Sequence, residues 1–203
     1  IGADGARAIA QLQGLTSLDL GGNQIGADGA RAIAQLQGLT SLNLKGNGIG
    51  DDGARAIAQL QGLTSLDVES NEIGDDGARA IAQLQGLTSL GLKGNQIGDD
   101  GAGAIARLQA LTSLNLWGNQ IDADGARAIL DAWATRADRA ALRRLALGST
   151  GISLLPADLL ERGDAQEIIA AWLGDRHAET DPTPLPPPDA VGQQDAGGVV
   201  VAW

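Results

Sequence analysis

Ile1, Ile25, Ile49, Ile73, Ile97 and Ile121 stand 24 residues apart, and the unit between them, typified by IGADGARAIAQLQGLTSLNLKGN at residues 25–47, recurs with few changes. A fixed period in the twenties constrains the fold more than any other feature of the chain. One unit cannot cover its own aliphatic face, whereas stacked units cover one another, so a solenoid is expected. Within a unit the apolar beat changes. In LTSLDL (residues 15–20), Leu18 and Leu20 alternate with Ser17 and Asp19, the two-residue rhythm of a strand with one buried face. In GARAIAQLQ (residues 29–37), Ala30, Ile33 and Leu36 fall at helical spacing. Asp28 is placed to cap that helix, and Gly38 to end it in a left-handed conformation. The series Asn23, Asn47, Asn71, Asn95 and Asn119 is expected to form an internal ladder whose amides satisfy backbone groups left unpaired by the turn after each strand.

The interior of such a stack has to be aliphatic, because the chain has no Phe, Tyr, Met or Cys and only 4 Trp. Disulfides and thiolate metal sites are therefore excluded. A formal net charge of -11 disfavours phosphate backbones and anionic membrane surfaces, so neither nucleic acid nor a membrane is an expected partner. No apolar run approaches the length of about 18 residues that a membrane helix needs, and no signal segment opens the chain. A cytoplasmic location is the expectation. Ile1 falls inside a repeat, which predicts further repeats upstream or end-to-end pairing of two chains through an uncapped first coil.

The pattern LxxLxLxxNxIGxxGAxAIAxL is similar to the leucine-rich repeat of the ribonuclease-inhibitor-like class, and its 24-residue GA-containing form resembles the bacterial GALA-type variant. The resemblance implies an α/β fold: a leucine-rich repeat solenoid, or horseshoe, with a parallel concave sheet, convex helices and a C-terminal capping helix. In LTSLDVESN (residues 63–71), set beside LTSLNLKGN (residues 39–47), the letters that change are mainly the fifth, seventh and eighth, which point away from the core. Those positions give the candidate partner-binding residues Asp19, Asn43, Lys45, Asp67, Glu69, Ser70, Lys93, Asn115 and Trp117, joined by Arg144 from the sixth coil. Trp117 is the sharpest of them. It serves either as an interface anchor or as a ring packed on the sixth coil against Arg144.

After Ile121 the frame stretches to Ile152, a gap of 31, and LRRLALGSTGI (residues 142–152) puts Leu142, Leu145 and Leu147 back in register. The extra residues are expected to lengthen a helix, with Ile129 and Trp133 on one face. Residues 1–153 thus form the solenoid, with an irregular last repeat. LLPADLLERGDAQEIIAAWL (residues 154–173) predicts a helix from about Ala165 to Leu173 that covers the open edge, with Trp172 in the cap, and residues 154–178 form that unit. The same stretch resembles the junction after the repeats of ROCO-type proteins, which implies a downstream domain in a longer signalling chain. From Glu179 to Trp203 the sequence is rich in Pro, Gly and acidic residues and reads as a linker or tail.

Catalytic chemistry finds no support in the sequence. His177 has no Cys or patterned Ser nucleophile to act on. GNGIGDDG (residues 46–53) meets neither phosphate-loop spacing and recurs as a repeat turn. The pairs Asp51 with Asp52, Asp75 with Asp76 and Asp99 with Asp100 open separate helices, so they cannot converge on one hard cation. Helix-start carboxylates balanced by Arg31, Arg55 and Arg79 account for them. No catalytic residue, metal or cofactor is expected. The expected function is recognition of a protein or peptide on the concave face, as the sensor region of a larger bacterial signalling protein. Two alternatives remain: a GALA-type effector adaptor secreted into a host cell, and the regulatory region of an enzyme, GTPase or protease, whose catalytic domain lies outside these residues.

Overall fold

In the computed structural model the described residues are 1–135, 144–147 and 168. Helices and strands alternate: α1 (Gly2–Ile9), β1 (Ser17–Asp19), α2 (Gly26–Ile33), β2 (Ser41–Asn43), α3 (Gly50–Ile57), β3 (Ser65–Asp67), α4 (Asp75–Ile81), β4 (Ser89–Gly91), α5 (Asp99–Ile105), β5 (Ser113–Asn115), α6 (Ala123–Ala134) and β6 (Arg144–Ala146). The six strands form one parallel sheet in chain order, and each helix packs on the next. Leu18, Leu42, Leu66, Leu90, Leu114 and Leu145 lie side by side across it. The repeat therefore builds the expected α/β horseshoe, and the sixth strand is in register despite the stretched frame.

Leu42, Leu44, Ile49, Ile57, Leu60 and Leu63 are all 2% exposed or less, and the equivalent residues of the neighbouring coils join them in one continuous core. Full burial of such a side chain contributes about 1.5–3 kcal/mol, so the aliphatic columns supply the main stabilisation. Trp133 is also fully buried, and its indole Nε1 donates to the Ala106 carbonyl at 3.0 Å. It fills the space under the lengthened α6, which runs for 12 residues against 7 or 8 in the others. Ile168 is helical and buried. The rest of the expected cap, Trp172 included, and His177 and the tail lie outside the described residues.

The asparagine ladder is present. Asn71 Oδ1 accepts from the N–H groups of Asn47 (3.0 Å) and Ile49 (3.3 Å), while its Nδ2 donates to the carbonyls of Leu44 (2.9 Å) and Glu69 (3.0 Å). Asn47 and Asn95 repeat the arrangement one coil to either side. A second ladder runs along the other end of the strands. The hydroxyl of Thr40 donates to the Thr16 carbonyl at 3.0 Å, as Thr64 does to Thr40, Thr88 to Thr64 and Thr112 to Thr88. This explains why Thr is kept at a solvent-facing position where any polar residue would do for solubility.

The helix boundaries differ from expectation. Each of the second and third helices begins at the Gly after the Ile, so Asp28 lies inside the first turn of α2 and makes no cap; it pairs with Arg31 instead. The helix ends at Ile33, three residues before Leu36, and Ala34 at its end is right-handed. Gly38 is absent from the left-handed residues. Its requirement is space: a Cβ there would come within 3.3 Å of the Leu15 carbonyl oxygen on the preceding coil.

The paired aspartates divide their work between coils. The second of each pair bonds the Arg of the preceding helix and, at Asp52 and Asp76, that of its own helix as well: Arg55 reaches Asp52 (2.6 Å) and Asp76 (3.1 Å), and Arg79 reaches Asp76 (2.5 Å) and Asp100 (3.2 Å). The first of each pair serves the following coil. Asp51 Oδ1 accepts from the N–H groups of Gly74 (2.8 Å) and Gly77 (3.0 Å), and Asp75 does the same for Gly98 and Gly101. These carboxylates cap the next helix, where free N–H groups and the positive helix end favour an anion.

Candidate functional site

Residues three and five of each strand unit point away from the helices, because Leu at positions four and six is buried beneath the sheet. All ten candidate residues lie on this concave side or at the exit of its strands. Their local roles differ from the free columns the sequence suggested. Position five is an acceptor that closes the turn after the strand: Asp19 accepts from Gly21 N–H, Asn43 from Lys45, Asp67 from Glu69 and Asn115 from Trp117, at 2.9–3.1 Å. Asp and Asn both reach this N–H from a short side chain, so these four coils keep one function while changing charge, and Gly91 and Ala146 give it up. Ser70, at the rim, is exposed and takes a φ of +55°, in a column where Gly46, Gly94 and Gly118 supply the left-handed residue in other coils.

The seventh column forms one ion pair and one cation–π contact. Lys45 Nζ lies 2.8 Å from Glu69 Oε2. The hydrogen bond and charge of Glu69 raise the Lys45 pKa above its ordinary value. Glu69 also accepts from Asn115 Nδ2 at 2.9 Å, across the whole of the intervening coil. That reach is possible because Gly91 carries no side chain; a Cβ there would sit 2.9 Å from Asp67 Oδ1. In the other contact, the Lys93 ammonium lies 4.6 Å from the centroid of the Trp117 ring. Trp117 is 43% exposed, a large apolar surface on a polar face. The structure thus gives its ring contact to Lys93 on the preceding coil, and the expected alternative of packing against Arg144 is not the contact found.

The missing side chain at Gly91 opens a recess in the sheet, bounded by Asp67 and Glu69 on one side and by Asn115 and Arg144 on the other. Its floor is the polar strand face from Ser65 through Ser89 to Ser113. Burial, with a smaller contribution from the Glu69 charge, pushes the Asp67 carboxyl above the usual carboxylate range, against the opposing pull of the Glu69 N–H and Lys45. On the helical side, Asp99 is raised by burial and by the Asp122 carboxyl beside it. Asp122 is lowered chiefly by the N–H of Asp124. Among the described residues no group of three His, Cys, Asp or Glu converges as metal ligands would, and no helix is long and apolar enough to cross a membrane.

A family model described as Leucine rich repeat matches residues 61–121, and a second of the same description matches residues 12–34 and 36–58. These coils are leucine-rich repeats. Among solved structures, internalin C2 of Listeria monocytogenes is similar at 32% identity and a TM-score of 0.51, over 59% of this chain and 50% of its own. An internalin (inlF) from the same organism is 25% identical over 61% of this chain and 48% of its own, with a TM-score of 0.39. The chain spans about half the length of these two structures. No curated protein matches it significantly. Leucine-rich repeats commonly present their sheet for protein binding, the property of curved solenoids in general, and the recess at Gly91 lies on that sheet.

Proposed function

We propose that this leucine-rich repeat array is a recognition scaffold that binds a protein or peptide through its concave face, with residues from Asp19 to Arg144 as the contact surface. The observation that carries the reading is an exposed Trp117 on the same face as the Gly91 recess, two residues along the chain from Asn115, which lines that recess. Nothing inside the repeat requires an aromatic ring at that position, where other coils carry Gly, Lys or Glu, and Trp is enriched among the residues that anchor protein interfaces. The resemblance of residues 154–173 to the ROCO-type junction supports a place within a larger cytoplasmic bacterial signalling protein, as its binding region rather than its catalytic one. The recurring Asp pairs are engaged in capping and ion pairing, which favours recognition over metal or acid–base chemistry at those positions.

Selection from a phage-displayed library of folded domains and peptides tests this. Ser89→Tyr with Ser113→Tyr fills the face with neutral bulk at a column that already accepts the long side chain of Arg144. The selected binders are expected to lose at least about tenfold in affinity for the double variant, and a similar amount for Trp117→Ala, as hot-spot truncations do. The variants should unfold at the same temperature as the parent. Binders that keep full affinity for both variants would place recognition elsewhere and end the proposal.

A further inference from the structure

The concave face is electrostatically divided. In the first three coils the strands and their exits carry Asp19, Asp67 and Glu69 against one cation, Lys45, and that cation is already held by Glu69 at 2.8 Å. In coils four to six the described outward positions hold Lys93 and Arg144 and no carboxylate: the others are Ser89, Gly91, Ser113, Asn115, Trp117 and Ala146. Among the described residues neither Lys93 nor Arg144 is paired with a carboxylate. Lys93 rests on the Trp117 ring and Arg144 is exposed at the start of β6. In a chain of net charge -11, two uncompensated cations on one small area of polar sheet mark the place where an anionic group lowers the energy of the surface.

Resting on the recognition reading above, we propose that coils four to six take an acidic, extended peptide segment, with one carboxylate on Arg144, another on Lys93 and an apolar side chain against Trp117. The geometry fixes the spacing. Lys93 and Arg144 are two strands apart, about 10 Å, and four residues apart along the strand direction, about 13 Å, so the diagonal is about 16 Å, the length of five extended residues. By the strand register the diagonal runs over Asn115, level with Gly91 on the neighbouring strand, which has no side chain to stand beside the path. Glu69 does not oppose such a segment strongly, since one of its oxygens is held by Lys45 and the other by Asn115. Asp67 lies beyond it and sets the limit of the acidic tract on the third coil. Trp117 gives the segment its apolar anchor, and the cation already placed over the ring holds the indole plane fixed.

Fluorescence anisotropy with three fluorescein-labelled octapeptide pools tests the proposal on the full chain. The pools are degenerate in uncharged residues and carry Glu, Gln or Lys at both of two positions five residues apart. The Glu pool should bind at least tenfold more tightly than the Gln pool. Lys93→Gln and Arg144→Gln should each weaken it about fivefold, and raising the salt from 50 to 500 mM should do the same, as screening about 10 Å long at 0.1 M requires. Equal or tighter binding of the Lys pool, Glu-pool binding untouched by both substitutions, or no binding of any pool at 1 mM would overturn the proposal. Gln-pool binding that Ser89→Tyr with Ser113→Tyr abolishes would overturn the acid preference alone and leave concave recognition standing. Glu-pool binding that survives those two tyrosines would count against both.

Discussion

At the start of α3, Gly50 has a φ of +58° and gives its N–H forward to the Asn71 carbonyl at 2.9 Å. At the start of α4, Gly74 has a φ of −99° and gives its N–H backward to Asp51 at 2.8 Å. The two turns share the letters NxIG, and what separates them is the residue on the preceding coil: Ala27 before the first, Asp51 before the second. The other coils follow the same division. Gly26, preceded by Ala3, has a φ of +64°; Gly98, preceded by Asp75, has −95°. Asp122 occupies the glycine column itself, at a φ of −95°, and it does so on the coil after Asp99, whose carboxylate accepts its N–H at 2.9 Å. A carboxylate one coil back therefore decides whether a turn needs glycine, because extended backbone is open to any residue and left-handed backbone is not.

The largest expected effect tests what the two turns have in common. Asn71→Ala would strip the partner from the buried N–H groups of Asn47 and Ile49, while the Leu44 and Glu69 carbonyls would keep Asn47 Nδ2 and the Gly46 N–H. Unsatisfied buried groups of this kind cost about 1–3 kcal/mol each, less what relaxation and water recover, so the loss should be about 2–4 kcal/mol in urea unfolding. Hydrogen exchange then separates the turns. The amides of Asn47, Ile49 and Gly50 should lose protection, while Gly74 and Gly77, held by Asp51, should keep theirs. Uniform loss across both turns would show that the ladder alone sets them.

A middle-sized effect addresses the carboxylate directly. Gly50→Ala should cost about 1–2 kcal/mol for a non-glycine residue in the left-handed region. Gly74→Ala should be neutral or gain up to about 1 kcal/mol, since its backbone is extended and a Cβ would meet Asp51 at an ordinary 3.5 Å. In the Asp51→Ala background the turn is expected to revert to the form seen at Gly50. Gly74→Ala would then become costly, and the two substitutions should couple by about 1 kcal/mol or more. Additive costs would mean that the carboxylate accompanies the extended turn without causing it.

These dependencies mark where the sequence stops being readable one unit at a time. The 24-residue period, the alternation around Leu18 and the buried Asn column each report a contact that recurs identically, so they announce the solenoid, its sheet and its ladder. Asp28 misled because a carboxylate near a helix start is expected to cap that helix, whereas α2 begins two residues earlier, and where a helix start does receive an acid from another coil, at α4 and α5, it comes from the coil before. Gly38 misled because a glycine after a helix suggests a left-handed end, whereas the demand is clearance from a neighbouring carbonyl. The threonine column could have been found from its retention at an exposed position. The Gly91 recess could not, since it arises from one absent side chain between Asp67 and Asn115 and becomes visible only when three coils are stacked.

The smallest effect moves the comparison from the turns to the strand exits, where Asp67 stands in the column that Asn43 and Asn115 fill with an amide. Asp and Asn accept the same turn N–H there, so they differ mainly in whether a half-buried group must ionise. The Asp67 carboxyl is raised above its ordinary value of 3.8, first by burial. The folded state therefore binds its proton more tightly than the unfolded chain. Below about pH 3.8 both states are protonated and the group is neutral in stability; as pH rises through the raised value the folded state must bear a partly desolvated charge, and stability falls. Asp67→Asn should match the parent in strong acid and become more stable than it above that window. At a partly exposed site the gain should stay below about 1 kcal/mol, because solvent screens the charge. Paired urea titrations from pH 3 to 7 read the difference directly, in which the Lys45–Glu69 pair common to both proteins cancels. A constant difference across that range would show that the amide acts by geometry, and that the recess border at Asp67 carries its charge without strain.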